Sequence, residues 1–291
     1  MPSITFDRSV PGYDLLSSSV LVDLQDAPII DRSSTALVFS ASDAENDQIS
    51  FIGSGLTYQL QGGEVVGVLT GTVSRIVYNN PDIGVTYLNW TGLNVSAAKL
   101  ADYVYTGKWA ALNTLLFSTS DTYRMTDSAD AVRGFGGNDM IYGFGGNDRL
   151  YGDAGSDKLI GGAANDRLYG NNGADILLGG AGADTMTGGA GADVFAFAEI
   201  GSGNIITDFR AVDDAMRFDD AVFDAFSYTG KLRVDDFVQG TSATEGGDRF
   251  IYQRSTGSLW YDSDGDGALK KILVAELDDR TSVTAADLFI I

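Results

Sequence analysis

Between residues 134 and 196 one apolar residue returns every nine positions, as Ile141, Leu150, Leu159, Leu168, Leu177, Met186 and Phe195, each set among glycine and polar residues. A period of nine fits neither a helix turn nor the alternation of a strand. It is the period of a stacked repeat, in which each unit buries its one apolar side chain against its neighbours. The flanking regions read differently. Residues 1 to about 120 alternate as short strands, with candidates at Ala36 to Ser40, Gln48 to Ile52, Leu56 to Leu60, Val73 to Tyr78 and Val85 to Trp90, separated by the turn signals GSG, QGGE and NNPD. The period then turns helical: Ser96 can cap AAKLADYVYT, Gly107 ends it, and KWAALNTLLF follows with Trp109, Leu112, Leu115 and Leu116 on one face. Residues 197 to 291 return to strands, NIITDF, DRFIYQ, GSLWYD and KILVAEL, with DG and GG turns. The expected fold is mainly β, with a repeat domain at 121–196, a β-rich N-terminal domain with two short helices at 1–120, and a C-terminal β cap at 197–291.

Aspartate keeps the same nine-residue step without a break, as Asp121, Asp130, Asp139, Asp148, Asp157, Asp166, Asp175, Asp184 and Asp193. From Gly134 to Ala196 the chain spells GFGGNDMIY, GFGGNDRLY, GDAGSDKLI, GGAANDRLY, GNNGADILL, GGAGADTMT and GGAGADVFA: glycine first, a small residue fourth, aspartate sixth and an apolar residue eighth. This pattern resembles the RTX (hemolysin-type) nonapeptide G-G-x-G-x-D-x-U-x, a calcium-binding repeat. Two degenerate copies, ending near Arg124 and Arg133, keep the aspartate with Tyr123 or Val132 but lose the glycines, as terminal repeats of a stack commonly do.

The chemistry agrees with the metal. Glycine at the first position is expected to carry the backbone through positive φ, and a small fourth residue to let adjacent turns approach, so that carbonyls are exposed. Calcium takes about six to eight oxygen ligands in irregular geometry, which suits a loop of free carbonyls with one carboxylate per turn. The RTX resemblance further implies a six-residue loop and a three-residue strand per nonapeptide, two nonapeptides per coil of a right-handed parallel β-roll, and calcium between loops eighteen residues apart on one edge. Carried onto this chain, one edge holds Asp139, Asp157, Asp175 and Asp193, with three gaps, and the other holds Asp148, Asp166 and Asp184, with two; about five ions are implied. The implied ligands are these aspartates, with first-position Gly134, Gly143, Gly152, Gly161, Gly170, Gly179 and Gly188 and third-position Gly136, Gly145, Ala154, Ala163, Asn172, Ala181 and Ala190.

The phase also sorts the outward positions onto two sheets. One carries Met140, Tyr142, Lys158, Ile160, Ile176, Leu178, Val194 and Ala196, apolar enough to expect a neighbouring domain over it. The other carries Arg149 with Tyr151, Arg167 with Tyr169, and Thr185 with Thr187, a ladder suited to stacking on sugars or pairing with carboxylates.

Composition narrows the function classes. The formal net charge is -21, and 35 of the 40 acidic residues are Asp, which favours turns and hard-cation ligands over surface helices. Such acidity argues against nucleic acid and anionic lipid as partners. The chain has neither cysteine nor histidine, which excludes disulfides, Ser-His-Asp or Cys-His catalysis, zinc proteolysis of the H-E-x-x-H kind and ordinary zinc or copper sites. No run of apolar residues is long enough for a membrane span, and the first residues do not read as a conventional signal peptide.

Asp262, Asp264 and Asp266 look like the start of an EF-hand loop, but the twelfth position is Leu273 rather than a bidentate Glu, so a Gly/Asp hairpin is the expected structure, with an extra calcium site as the alternative. The acidic-apolar end ADLFII resembles an uncleaved C-terminal export signal. The resemblance as a whole implies a secreted protein, extracellular or attached to the cell surface, that folds on calcium after leaving through a type I secretion apparatus. The N-terminal domain reads as a non-enzymatic binding or adhesion domain, with an extracellular polysaccharide or cell surface as partner. Two other readings stay open: a small polysaccharide lyase or glycosidase with an RTX tail, and a surface-layer or self-assembling protein. No catalytic residue is nominated.

Overall fold

The computed structural model describes residues 118–291 apart from Ser202, Glu245 and 266–269, and, before residue 118, the backbone of six strands. The helices expected after Ser96 lie outside the described residues. Two compact units emerge, Met1–Thr126 with Ala131–Asp139, and Asp127–Asp130 with Met140–Ile291.

In the first unit, β1 (Ser3–Thr5), β2 (Ile29–Arg32), β3 (Ala36–Ser40), β4 (Gln48–Gln61), β5 (Glu64–Asn80) and β6 (Val85–Ser96) run in the sheet order β1-β6-β5-β4-β3-β2. All of these pairs are antiparallel. Two short strands follow, β7 (Thr122–Arg124) and β8 (Ala131–Arg133), and β7 pairs with β1 in parallel. The QGGE signal marks a hairpin, closing on the pair Gln61 and Glu64. The GSG signal does not make a turn. The segments expected at Gln48–Ile52 and Leu56–Leu60 are one strand, because β5 runs beside both and the register shifts at Ile52/Gly53 and Ser54/Thr57 absorb the glycines as bulges.

The second unit begins with the regular repeats: β9 (Met140–Gly145), β10 (Arg149–Ala154), β11 (Lys158–Ala163), β12 (Arg167–Asn172), β13 (Ile176–Ala181), β14 (Thr185–Ala190) and β15 (Val194–Phe197). Odd-numbered strands pair in parallel in one sheet and even-numbered strands in the other, each matching residues eighteen apart, such as Leu159 with Leu177 and Leu150 with Leu168. A nine-residue unit thus crosses from sheet to sheet, and two units return to the same sheet. Strands β9 to β14 are six residues long where three were expected, because pairing continues through the first three positions of the next nonapeptide. Eighth-position side chains from Ile141 to Phe195 all point inward and are fully buried.

The solenoid does not stop at Ala196. Strand β16 (Asn204–Ile206) pairs in parallel with β14, and β17 (Ala215–Phe218) with β15, so the parallel β-solenoid of this unit runs on to residue 218. The remaining strands are β18 (Gly230–Lys231), β19 (Phe237–Gln239), β20 (Phe250–Gln253), β21 (Ser258–Tyr261), β22 (Ile272–Leu277) and β23 (Leu288–Ile290). They extend both sheets, β22 beside β16 and β23 beside β17. Here the core thickens. Phe218, Phe223, Phe250 and Tyr261 pack with centroids 4.5 to 5.5 Å apart, joined by buried Leu288 and Ile290. Helix among the described residues is confined to two 3-10 turns, Val234–Asp236 and Ala285–Asp287.

Candidate metal centre

Sixth-position aspartates form two rows, and the carboxylates of Asp139, Asp148, Asp166, Asp175, Asp184 and Asp193 are each held by the Oδ1 atom. Asp148 accepts the backbone N–H of Asp130 at 2.8 Å, Asp166 that of Asp148 at 2.8 Å, and Asp184 that of Asp166 at 2.9 Å. On the other edge Asp175 accepts from Asp157 at 2.7 Å and Asp193 from Asp175 at 2.9 Å. The first unit repeats the link, Asp139 accepting from Asp121 at 2.8 Å. One oxygen is thus used to register neighbouring loops. The other is not used: the Oδ2 atoms of Asp121, Asp148, Asp166, Asp175, Asp184 and Asp193 are buried without a hydrogen-bond partner. A buried anionic oxygen is costly unless a cation or a proton joins it.

First-position glycines show where those oxygens lie. A Cβ on Gly143 would strike Asp148 Oδ2 and the carbonyl of Gly161; on Gly161 it would strike Asp166 Oδ2 and the carbonyl of Gly179; on Gly170, Asp175 Oδ2 and the carbonyl of Gly188. Gly152, Gly179 and Gly188 likewise face Asp157, Asp184 and Asp193. So a carboxylate oxygen of one loop and a carbonyl of the loop one coil later converge on a single Cα. This corrects the expected role of that glycine. Its φ is not positive; it is glycine because oxygen atoms occupy the place of a side chain. Positive φ falls instead at the second and fourth positions, at Phe144, Asp153, Gly162, Asn171, Gly180 and Gly189, and at Gly146, Gly155, Ala164, Gly173, Gly182 and Gly191.

Among third-position residues Ala154, Ala163, Asn172 and Ala190 are exposed and Ala181 is half-buried, while Gly145 is buried. The carbonyls of Asn172 and Ala190 accept hydrogen bonds from the N–H groups of Gly155 and Gly173, at 2.9 and 2.8 Å. Gly136 and Gly134 lie in the first unit, where the Gly134 carbonyl accepts from Gly136 N–H at 3.0 Å. Second- and fourth-position carbonyls were not singled out in the sequence. They face along the stack: those of Phe144 and Gly162 abut Gly162 and Gly180, and those of Gly155 and Gly173 abut Gly173 and Gly191. Their sequence signal is the run of Gly, Asn and Asp at residues that must adopt positive φ. Among the described residues no three acidic side chains gather into a metal cluster, so an ion here would be held chiefly by carbonyls, with the aspartate oxygens supplying the charge.

Without metal these carboxyls resist ionisation. Burial pushes Asp148 and Asp175 up to about 7, against the opposing effect of the N–H each accepts and with repulsion from the aspartates one coil away. Asp121, Asp166 and Asp184 are raised to about 6, again chiefly by burial. Asp193 is also raised by burial, with Asp214 and Asp208 adding repulsion.

The rows end in residues that break the nine-residue step. Asn204 Oδ1 accepts the N–H of Asp184 at 3.0 Å, and Asp214 Oδ1 that of Asp193 at 2.9 Å, twenty and twenty-one residues on. Asp208 caps the last regular loop, accepting from Gly188 at 2.9 Å and Gly189 at 2.8 Å. Unlike Asp148, Asp166, Asp175, Asp184 and Asp193, Asp214 has both oxygens bonded, the second to the N–H of Arg210 at 2.8 Å.

The EF-hand-like segment lies in the β21–β22 hairpin, whose Tyr261 pairs with Ile272. Asp262 accepts the N–H of Gly265 at 3.2 Å, and the Arg249 guanidinium donates to the Ser263 carbonyl at 2.9 Å; Asp266 lies outside the described residues. On the outer faces, the eight residues of the apolar sheet are each half-buried, while Arg149 and Arg167 are exposed. Tyr151 and Tyr169 stack on each other, with centroids 4.8 Å apart and planes at 10°.

The model described as RTX calcium-binding nonapeptide repeat (4 copies) matches residues 126–159 and again 160–195. No curated protein matches the chain in sequence. Among solved structures, the chain is similar to the AlgE6R3 subunit of the mannuronan C5-epimerase of Azotobacter vinelandii, with 22% identity and TM-score 0.22, over 59% of this chain and 78% of that one. It is also similar to the extracellular lipase LipA of Serratia marcescens, with 12% identity and TM-score 0.24, over 92% of this chain and 31% of the lipase.

Proposed function

From the RTX calcium-binding repeats that this chain carries, we propose that it is a secreted, non-enzymatic binding or adhesion protein whose β-roll folds on extracellular calcium after export through a type I apparatus. The observation that carries this reading is the row of buried Oδ2 atoms without hydrogen-bond partners, those of Asp148, Asp166 and Asp175 each set against a glycine and a neighbouring carbonyl. Oxygen donors of this kind, lacking nitrogen or sulfur, suit a hard divalent cation. Sixth-position aspartates would supply the charge, and first- and third-position carbonyls, joined by those of the second and fourth positions, the remaining oxygens. Five ions, one per gap of the regular array, would carry ten positive charges and move the formal charge from -21 to -11. Residues 1–120 form the binding domain in this reading, 121–196 the roll, and 197–291 a cap that bears the export signal. Among the described residues no helix is long and apolar enough to cross a membrane.

Low cytosolic calcium would keep the Gly-rich repeats extended for passage through an exporter, since metal binding and folding are one equilibrium in such a site. Two experiments test the reading. Native mass spectrometry of the full chain in calcium should give five bound ions, and a metal-free spectrum at millimolar calcium would refute the sites. In cells with a compatible type I exporter, removing roughly the last 50 residues should retain the chain inside, and secretion at the normal level would refute the export route.

A further inference from the structure

We propose that the outer face of β10 and β12 is a binding site for a linear acidic polysaccharide, gripped by Arg149 and Arg167. This deepens the binding role proposed above and rests on calcium holding the roll together. The two arginines are register partners on adjacent parallel strands, as are Tyr151 and Tyr169 two residues on. Both arginines are exposed and, among the described residues, neither forms a salt bridge, in a chain with 40 acidic residues against 19 basic ones. Like charges placed side by side across a sheet repel, so the arrangement is locally unfavourable until an anion bridges it.

Tyr151 and Tyr169 stack ring on ring, so no sugar ring can enter between them, and the proposed contact is made by the two guanidinium groups. Thr185 and Thr187 continue the two columns on β14 as half-buried hydroxyls. The rungs recur at the strand separation, about 4.8 Å. A partner running across the strands must therefore repeat its negative charge at about that step, as a chain of uronic acid rings does with one carboxylate per ring. Planar guanidinium forks match carboxylates in two-point geometry. An anionic lipid surface would instead meet the whole acidic molecule, which favours the polymer.

The test uses the full chain in calcium with an oligogalacturonate too short to gel, and measures binding by calorimetry. The wild type should bind. R149S/R167S should bind at least about ten-fold more weakly, R149K/R167K should lie between, and R254S, which removes one exposed guanidinium elsewhere, should match the wild type. Circular dichroism of each variant in calcium should be unchanged. Binding by R149S/R167S equal to wild type, an equal loss in R254S, no binding by a wild type that folds in calcium, or preference for phosphatidylserine vesicles over the glycan would each overturn the site. A wild type that does not fold in calcium would instead refute the function proposed above.

Discussion

The regular roll and its C-terminal cap share two sheets but are held together differently. In the roll each strand contributes one fully buried apolar side chain, and carboxylate oxygens are buried without partners. In the cap several aromatic rings interlock, and four acidic side chains are bonded within the protein. Asp208 and Asp214 accept backbone N–H groups, Asp248 accepts from the N–H and hydroxyl of Thr244, and Asp287 closes a capping box with Thr284. The difference teaches that a buried aspartate is structural in one region and an open valence in the other. The cap's aspartates are bonded without metal, whereas the roll's unpartnered oxygens are what the proposed calcium would complete.

The comparison can be broken most severely at a first-position glycine. G161A would drive a Cβ into Asp166 Oδ2 and the Gly179 carbonyl, and should destabilise the calcium-bound roll by roughly 3 kcal/mol or more. In the cap G240A, whose Cβ would meet nothing closer than 3.9 Å, should stay within about 0.5 kcal/mol. Urea unfolding in calcium measures both.

Next come the carboxylates. If calcium stands at about ten to a hundred times each dissociation constant, one site contributes roughly 1.4 to 2.7 kcal/mol by mass action. D175A, which lies between two gaps of its edge, should lose about twice that. D193A should lose about one such contribution, together with the hydrogen bond its carboxylate accepts from Asp175 N–H, while the backbone link from its own N–H to Asp214 stays. D248N in the cap should leave calcium affinity unchanged. Calcium titrations followed by circular dichroism separate the three.

Acidity should affect the two states in opposite ways. In the metal-free roll Asp148 and Asp175 titrate at about 7, above the ordinary carboxyl value of 3.8, so the folded form binds protons more tightly than the unfolded chain. Chelated protein should therefore gain roll structure as pH falls from about 7 toward 4. Calcium must displace those protons, so its apparent affinity should drop over the same range. The smallest effect is expected at Ala164, whose φ of 81° is unfavourable for a residue with a Cβ. A164G should stabilise the roll by up to about 1 kcal/mol, the left-handed strain relieved being partly offset by the freedom glycine adds to the unfolded chain.

Much of this was legible in the sequence because the roll is local and periodic. The step from Asp139 to Asp193 sets which residues stack, and the eighth-position row from Ile141 to Phe195 is its core. The end of the solenoid was hidden, since Asn204 and Asp214 take their places only after the longer intervals of twenty and twenty-one residues. Nor did the sequence separate the two reasons for glycine. Space at the first position and positive φ at the second and fourth leave the same letter. The strand through Gly53 was misread for a related cause: a glycine pair reads as a turn until the partner strand alongside it is known.

Amide hydrogen exchange of the full chain at about pH 8, above the titration of the raised aspartates, tests the contrast most directly. In calcium the backbone amides of Leu150, Leu168 and Leu177 in the roll, and of Tyr252 and Leu259 in the cap, should all be protected. In excess chelator the roll amides should lose their protection and the cap amides should keep it. Roll amides that stay protected in chelator would contradict the claim that calcium completes the roll.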